Sequence, residues 1–216
     1  NSYEYTKNNL LYSNGILTLD NIIDSMDNNT ENNKIFTYIY ENKVWHENGG
    51  SGDGSTIEFN KDEYIPFVKK FINTHYINTV TDLGCGDWQS SYLIYDDLNV
   101  KYTGYDVYEN IININNKKFP NYTFKHLDFI ENKHILESTD LCIIKDVLQH
   151  LPTKSIYEFL DYIVQKKVYK YILIINCCEQ QNDDDDIQPG EWRQLSALKF
   201  PLKKYNPTIL LNYNTK

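Results

Sequence analysis

Thr79-Val80-Thr81-Asp82-Leu83-Gly84-Cys85-Gly86-Asp87 is the most informative stretch of this 216-residue sequence. Its first five residues form a short β-rich run, which predicts a strand that ends at Gly84. The two glycines let the backbone turn tightly and leave amide groups open to a ligand that approaches closely. We therefore predict a strand followed by a ligand-binding turn.

Downstream of this turn, β-rich or apolar runs alternate with helical patterns. The alternation predicts right-handed βαβ crossovers and an α/β fold, with a mostly parallel central sheet covered by helices on both faces. The predicted helices cover residues 65–72, residues 108–119 and a segment that begins after Pro152. The further predicted strands cover residues 101–106, 122–127, 140–144, 170–176 and 208–213.

The pattern of apolar and polar residues in 1–56 differs from that in 57–216. We therefore predict a short helical N-terminal extension followed by one α/β domain. The extension is expected to contain two short helices, at residues 16–23 and 35–40, which are joined by a polar loop at residues 27–33. Residues 45–55 hold four of the nine glycines, which predicts a mobile, glycine-rich lid loop without strand or helix.

The composition is that of a folded globular protein. It is 41% hydrophobic and 24% charged, which excludes a disordered, collagen-like or disulfide-stapled chain. No apolar run approaches the ~18–20 residues needed to span a bilayer, and we expect neither a membrane span nor a signal peptide. A net charge of −9 argues against a nucleic-acid partner. The four cysteines show no CxxC spacing, which favours a reducing, cytoplasmic setting.

A carboxylate follows the next predicted strand at the spacing of a ribose contact. Asp106 lies twenty residues beyond Gly86, where it can accept hydrogen bonds from both hydroxyls of a ribose. Ligands of such sheets bind beyond the carboxyl ends of the strands, where the strand order reverses. These features predict a nucleoside cofactor. The dinucleotide fingerprint GxGxxG needs a third glycine, and that position holds Gln89.

The same residues resemble the class I S-adenosylmethionine-dependent methyltransferases, whose first strand typically ends in an acid followed by GxG. Residues 82–86 match that pattern, Asp106 matches the family's ribose-binding acid, and Asp128-Phe129 matches its adenine-flanking pair. The resemblance implies a Rossmann-like class I methyltransferase fold with S-adenosylmethionine as cofactor. The residues expected to bind the cofactor are Ser51, Ser55, Asp82, Gly84, Cys85, Gly86, Asp106, Val107, Asp128, Phe129 and Lys145.

Three segments resemble a narrower group of small-molecule methyltransferases, often associated with polysaccharide and glycan gene products. They are residues 84–89, residues 145–151 and the loop Ser51-Gly52-Asp53-Gly54-Ser55. The resemblance implies O-methylation of a sugar or glycan. Trp45 and the loop at residues 51–55 are expected to close over the cofactor, and a plain linker is the alternative. The family's sheet normally finishes with an antiparallel pair, whereas only one strand is predicted after residue 178.

Methyl transfer to an alcohol is an in-line displacement, so alignment of oxygen, methyl carbon and sulfur is its main demand. A sugar hydroxyl must also lose its proton, which a general base can accept. His150 is the candidate base, because it follows the fourth predicted strand and its ordinary pKa of about 6.5 leaves it mostly neutral. Asp146 shares a face with His150 if the segment is helical, either to orient the imidazole or to act as the base. The alternative is that His150 only caps the following helix and that Asp146 is only a turn residue at the end of the strand.

The chain after the fifth strand supplies candidate acceptor-binding residues. Trp192 and Arg193 combine a stacking surface with the only guanidinium, although Arg193 can instead act as a structural clamp on a neighbouring carboxylate. The acidic run before them can hold Mg²⁺ or a similar cation, but a solvated loop is the favoured interpretation. The acceptor candidates are Trp88, Glu179, Asp186, Trp192 and Arg193, and the weak metal candidates are Asp183, Asp184 and Asp186. Core positions are the alternative for Trp88 and Cys85.

Other functions stay open at this point. The chain can methylate another small molecule or a protein side chain instead of a sugar or glycan acceptor. It can also be a catalytically silent cofactor-fold module of a larger glycan-assembly polypeptide. A dehydrogenase is the remaining alternative, and it would bind NADH in place of S-adenosylhomocysteine.

Overall fold

The computed structural model describes residues 29–47, 49–178 and 186–213. The helices in these residues are α1 (Glu31–Glu41), α2 (Ile57–Asn60), α3 (Tyr64–Thr74), α4 (Tyr92–Tyr95), α5 (Glu109–Lys118) and α6 (Thr153–Lys166). The strands are β1 (Thr79–Leu83), β2 (Lys101–Asp106), β3 (Thr123–His126), β4 (Thr139–Lys145) and β5 (Tyr169–Ile175). Short 3₁₀ turns occupy Asp53–Ser55, Lys133–Ile135, Leu148–His150 and Leu202–Tyr205. No helix in these ranges combines the length and apolar character needed to cross a bilayer.

The five strands form one parallel sheet in the order β3-β2-β1-β4-β5. The chain runs outward from β1 to β3 and then crosses back to β4, so the strand order reverses between β1 and β4. The predicted Rossmann-like α/β fold is confirmed. Each of these five predicted strands matches the observed one to within one residue at either end.

The sheet is buried between helices on both faces, which explains the apolar runs of its central strands. Ile144 of β4 belongs to the cluster that contains Ile156 and Phe159 of α6. The preceding residue, Ile143, belongs to the opposite cluster, which contains side chains of α3 and α5 such as Val68. Neighbouring residues of one strand therefore contribute to two cores, as the period of two in a strand requires.

Residues 29–47 and 49–56, which we name the cover segment, lie against the carboxyl edge of the sheet. Phe36 and Ile39 of α1 are buried in the cluster that also contains α6. α1 begins at Glu31, within the predicted polar loop, because the Thr30 side chain accepts the N–H of Asn33 and caps the helix.

Two further predictions for the N-terminal extension have different outcomes. The 3₁₀ turn at Asp53–Ser55 shows that residues 45–55 are not free of helical structure, because the N–H groups of Ser55 and Thr56 bond back to the turn. The helix predicted at residues 16–23 lies outside the described residues.

The predicted strand at residues 208–213 is wrong. These residues form no regular element, and no strand in the described ranges pairs with them. Asn206 has a left-handed backbone and Pro207 has no N–H, while Ile209 and Leu210 are more than half exposed. An apolar run becomes a strand only where a sheet edge and a core receive it. The expected antiparallel pair is likewise absent from the described residues.

Candidate active site at the carboxyl edge of the sheet

The turn after β1 accepts only glycine at two of its positions. Gly84 and Gly86 have left-handed backbones, with φ of +76° and +56°. A Cβ on Gly84 would lie 2.3 Å from Cγ2 of Val147. The N–H groups of Gly84 and Cys85 both donate to the carbonyl of Tyr105, at 2.8 and 3.0 Å. These two amides are consumed within the fold, so the expectation that they are open to a ligand is wrong.

Asp106, at the end of β2, anchors the same turn. Its Oδ2 accepts the N–H of Gly86 at 2.9 Å, and its Oδ1 accepts the N–H of Tyr108 at 3.0 Å. Burial raises the pKa of Asp106, and the backbone N–H groups oppose that rise. A carboxylate has about four acceptor positions, so Asp106 can also accept hydrogen bonds from a ligand. The structure thus brings the glycine turn and the predicted ribose acid into direct contact.

The residues that follow β2 and β3 are bonded to the cover segment. Asp128 Oδ2 accepts hydrogen bonds from Thr30 Oγ1 at 2.7 Å and from Asn32 Nδ2 at 3.1 Å. The carbonyl of Val107 accepts the side-chain amide of Asn33 at 2.7 Å. Asp128, from the predicted adenine-flanking pair, and Val107, a predicted cofactor contact, therefore lie at the expected edge, in contact with α1 and its cap.

Ser51 of the cover segment sits on the glycine turn. Its Oγ accepts the N–H of Asp87 at 2.8 Å, and its own N–H donates to Asp87 Oδ2 at 3.0 Å. The Tyr40 hydroxyl lies 2.9 Å from the same Oγ. A Cβ on Gly86 would lie 2.4 Å from Ser51 Oγ. Ser51 therefore occupies the side of the turn that the absent glycine side chain leaves open.

The rest of the 51–55 loop is tied to the ends of β1 and β4. Ser55 Oγ accepts the side-chain amide of Gln89 at 2.8 Å. Lys145 Nζ donates to the carbonyl of Gly54 at 2.7 Å and forms an ion pair with Asp146. Lys145 and Gln89 thus hold the loop over the sheet edge.

His150 ends the 3₁₀ turn that follows β4 and is 9% exposed. Its Nδ1 lies 3.0 Å from the carbonyl oxygen of Glu191. Because a carbonyl only accepts hydrogen bonds, Nδ1 carries the proton and Nε2 carries the lone pair. Burial lowers the pKa of His150, so its neutral form persists at pH values below the ordinary 6.5. The Trp45 ring covers the imidazole, with the ring centroids 5.0 Å apart.

The segment from Asp146 to His150 is not an α-helix, so the condition for a shared helical face is not met. Asp146 has a left-handed backbone, with φ of +57°, and residues 148–150 form a 3₁₀ turn. The bend at Asp146 follows directly after β4, where its N–H bonds to the carbonyl of Ile175 at 2.9 Å. Its carboxylate pairs with Lys145 and acts on His150 through its charge, which partly opposes the effect of burial on the His150 pKa.

Arg193 forms the structural clamp of the two alternatives. One guanidinium nitrogen donates to Asp186 Oδ1 at 2.8 Å, and another donates to the carbonyl of Leu151 at 2.9 Å. The same Asp186 oxygen accepts the N–H of Thr153 at 2.8 Å. Burial raises the pKa of Asp186, but its N–H donors and Arg193 more than offset this, so the pKa lies below its ordinary value. Trp192 is 53% exposed and remains the aromatic candidate on the acceptor side.

Trp88 and Phe129 lie in the hydrophobic core. Trp88 is buried with a left-handed backbone, and its ring centroid lies 4.9 Å from that of Tyr102 and 4.7 Å from that of Phe119. The prediction that Trp88 lines the acceptor pocket is therefore wrong. Phe129 packs edge to face against Phe159 of α6.

Asp82 and Cys85 are also directed into the fold. Asp82 Oδ2 accepts the hydroxyl of Tyr102 at 2.8 Å, and burial raises the pKa of Asp82 to about 7. Cys85 Sγ would lie 3.0 Å from a Cβ on Gly104, so the thiol fills the space beside that glycine. The structure thus bonds Asp82 to Tyr102 of β2 and places Cys85 as a filler, which is the core alternative that the sequence left open for Cys85.

Glu179, Asp183 and Asp184 lie outside the described residues. Within residues 29–47, 49–178 and 186–213, no cluster of three or more His, Cys, Asp or Glu side chains is arranged to hold a metal ion.

The contribution of α1 to this edge was not predicted from the sequence. Thr30 carried a recognisable helix-capping signal, but its second partner, Asp128, lies 98 residues away. Tyr40 carried no comparable signal, although its ring stacks on Tyr108 with centroids 4.7 Å apart. Asn115 donates a hydrogen bond to the glycine turn, but nothing in the sequence distinguishes it from the other polar residues of α5.

No family model and no curated protein matches this sequence. The structure of mitomycin 7-O-methyltransferase MmcR is similar at 16% identity, over 56% of this chain and 38% of that chain, with a TM-score of 0.42. Magnesium protoporphyrin IX methyltransferase (ChlM) from Synechocystis PCC 6803, with bound SAM, is similar at 16% identity, over 75% and 81% of the two chains, with a TM-score of 0.49. The methyltransferase domain of bacterial CtHen1-CN is similar at 13% identity, over 61% and 77%, with a TM-score of 0.49. At these identities the likeness concerns the fold alone.

Proposed function

We propose that this chain is an S-adenosylmethionine-dependent methyltransferase that acts on a hydroxyl of a sugar or glycan. The proposal rests on the hydrogen bond between the Gly86 N–H and the Asp106 carboxylate. A left-handed glycine donates its amide to a buried carboxylate at 2.9 Å, beside the reversal of strand order. Gly86 and Asp106 are buried, with Ser51 Oγ against the glycine. When Ser51 is displaced, they offer a glycine backbone beside carboxylate oxygens, which is the chemistry that holds a nucleoside ribose.

The donors and acceptors at this edge fit an adenosyl group. Asp106 offers acceptor positions to ribose hydroxyls, and Asp128 accepts the Asn32 amide as it would accept an exocyclic amine. The ring of Tyr40 stacks on Tyr108 as an aromatic base would. The cover segment therefore brings the same chemical groups to the edge as the cofactor does, and we expect it to shift when the cofactor binds.

When bound, S-adenosylmethionine supplies an electrophilic methyl group to an acceptor oxygen in an in-line displacement. His150 accepts the proton of the acceptor hydroxyl at Nε2, because the Glu191 carbonyl holds Nδ1 as the protonated nitrogen. The same hydrogen bond stabilises the imidazolium that forms. Such a base contributes roughly 10²–10⁴ in rate, whereas positioning contributes on the order of 7–11 kcal/mol. Alignment by the site is therefore the larger effect.

A sugar acceptor is supported by the surroundings of His150. Trp45 lies over the imidazole, and the half-exposed Trp192 follows Glu191 directly in the chain. Aromatic faces provide the apolar contact that the C–H face of a sugar ring needs, and the polar groups nearby orient its hydroxyls. The likeness of residues 51–55, 84–89 and 145–151 to glycan-associated methyltransferases points to the same acceptor class.

Two measurements test this function in order. Calorimetric titration with S-adenosylhomocysteine is expected to show binding, and titration with NADH is expected to show none. A panel of simple glycosides with S-adenosylmethionine is then expected to yield a product heavier by one methylene unit, detected by mass spectrometry. Binding of NADH alone would support a dehydrogenase. Binding of S-adenosylhomocysteine without methylation of any glycoside, alcohol or peptide would support the silent module.

A further inference from the structure

Asn115 is a buried polar residue in the middle of α5. Its side chain is 0% exposed, and it shares the buried face of the helix with Ile111 and Ile112. Asparagine is a poor residue for a helix interior, and burial of its amide costs free energy unless the amide is bonded. A partner must therefore account for an asparagine at this position.

The partner is the glycine turn. Asn115 Nδ2 donates to the carbonyl of Gly86 at 2.7 Å, while the N–H of Gly86 donates to Asp106 Oδ2 at 2.9 Å. Both polar groups of Gly86 are thus held from within the fold, one by α5 and one by β2. Glycine is the most flexible residue, so two such bonds remove most of the freedom that this turn would otherwise have.

These bonds determine where the next amide points. A trans peptide is planar, and its C=O and N–H point in opposite directions. The peptide between Gly86 and Asp87 has its carbonyl drawn toward Asn115 in the core. Its N–H must then point outward to the cover segment, where Ser51 Oγ accepts it at 2.8 Å.

We propose that Asn115 is a positioning residue that aims the Asp87 N–H at the cofactor. This inference rests on the proposed function. A hydroxyl or carboxylate oxygen of the cofactor takes the place of Ser51 Oγ on that N–H. Asn115 touches no ligand itself, and it acts through the orientation of one peptide plane.

The neighbouring Asn116 provides a matched control. Its side chain bonds to both polar groups of Phe124 in β3, with Nδ2 donating at 3.0 Å and Oδ1 accepting at 3.3 Å. Asn116 belongs to the same helix as Asn115. Its side chain makes two hydrogen bonds to the backbone, and neither involves the glycine turn. Asn116→Asp therefore loses a comparable amide donor without altering the Gly86 peptide.

The test compares Asn115→Asp, Asn115→Leu and Asn116→Asp with the wild type by titration with S-adenosylhomocysteine. Loss of one positioned donor is expected to weaken binding about tenfold in both Asn115 variants, and Asn116→Asp is expected to bind as the wild type does. The KM for S-adenosylmethionine is expected to rise with kcat nearly unchanged. Equal affinity of Asn115→Asp and the wild type would overturn the proposal, whereas a wild type that binds nothing would instead overturn the proposed function.

A second measurement covers the case in which both Asn115 variants fail to fold. In Ser51→Ala the Asp87 N–H loses its acceptor, so its hydrogen exchange is expected to quicken, and S-adenosylhomocysteine is expected to slow it again. The Gly86 N–H, bonded to Asp106, is the internal reference. An Asp87 amide whose exchange does not respond to the ligand would contradict the proposal.

Discussion

The sheet and the cover segment are held together in different ways, and the difference bears on how the site works. Central strands place residues such as Leu141 and Ile144 in the core, where apolar burial is the main stabilising contribution. The cover segment buries a few residues of α1 but meets the site through polar side chains such as Ser51 and Asn32. Each such bond contributes only about 1 kcal/mol net, and ligand groups can replace it. One side of the site is thus rigid and the other is exchangeable.

The first prediction separates two glycines with similar backbones. Gly84 of the turn and Gly49 of the cover segment have φ of +76° and +79°. A Cβ on Gly84 meets Val147 at 2.3 Å, whereas one on Gly49 meets the flexible Lys43 side chain at 3.6 Å. We expect Gly84→Ala to lower the free energy of unfolding by about 3 kcal/mol or more, and Gly49→Ala by about 1 kcal/mol. Urea unfolding of both variants measures the contrast, and equal losses would contradict it.

The second prediction concerns the base on the rigid side. His150→Asn retains a donor near the position of Nδ1 for the Glu191 carbonyl but removes the lone pair at Nε2. We expect kcat to fall by roughly 10²–10⁴ while the affinity for S-adenosylhomocysteine changes little. His75→Asn, at the opposite end of the sheet against Phe71, is the matched control and should leave kcat unchanged.

The pH dependence follows from the burial of His150. Its pKa is lowered below 6.5, so the base stays neutral, and active, as the pH falls through 6.5. The acid limb of kcat is therefore expected to have its midpoint below pH 6.5. A midpoint above 6.5 would show that the titrating base is not a buried histidine.

The parallel sheet could be predicted because buried strands carry their own signal. β1, β2 and β4 each contain an apolar or β-rich run, and Gly84 marks where β1 ends. The contacts of the cover segment with the sheet could not be predicted, because hydrogen bonds such as that from Thr30 to Asp128 join residues 98 positions apart and leave no periodic pattern. Trp88 was misplaced for a related reason, since a buried aromatic ring and a pocket-lining one look alike in a sequence.

The fourth prediction tests the rigid side through its buried acid. The pKa of Asp82 is about 7 in the folded protein, above its ordinary 3.8, so the unfolded state holds fewer protons between these values. Stability from this group is fully present below pH 3.8 and is lost as the pH rises through about 7. The shift corresponds to roughly 4 kcal/mol at most.

Urea unfolding at pH 5 and pH 8 measures this slope. The wild type is expected to lose stability between the two values, and Asp82→Asn is expected to lose less. Asp140→Asn is the control, because the pKa of Asp140 is lowered and its titration lies outside this range. An unchanged slope in Asp82→Asn would show that another group is responsible.

The smallest expected effect concerns the attachment of the cover segment to the sheet. Lys145→Met removes the donor to the Gly54 carbonyl, which is worth about 1 kcal/mol. Hydrogen exchange in residues 49–56 is expected to quicken about fivefold, with the amides of β4 unchanged. Lys154→Met, which removes only an exposed pair with Glu158, should change neither. Faster exchange throughout β4 would mean that the cover and the sheet open together.

The role of Asp106 in cofactor binding is tested by the affinity of Asp106→Asn for S-adenosylhomocysteine, measured by calorimetry beside the wild type and Asp140→Asn. Asp106 joins the glycine turn at the carboxyl edge, whereas Asp140 bonds to the backbone at the start of β1. We expect the wild type and Asp140→Asn to bind alike and Asp106→Asn to bind at least about tenfold more weakly. Equal binding by all three proteins, or no binding by the wild type, would contradict it.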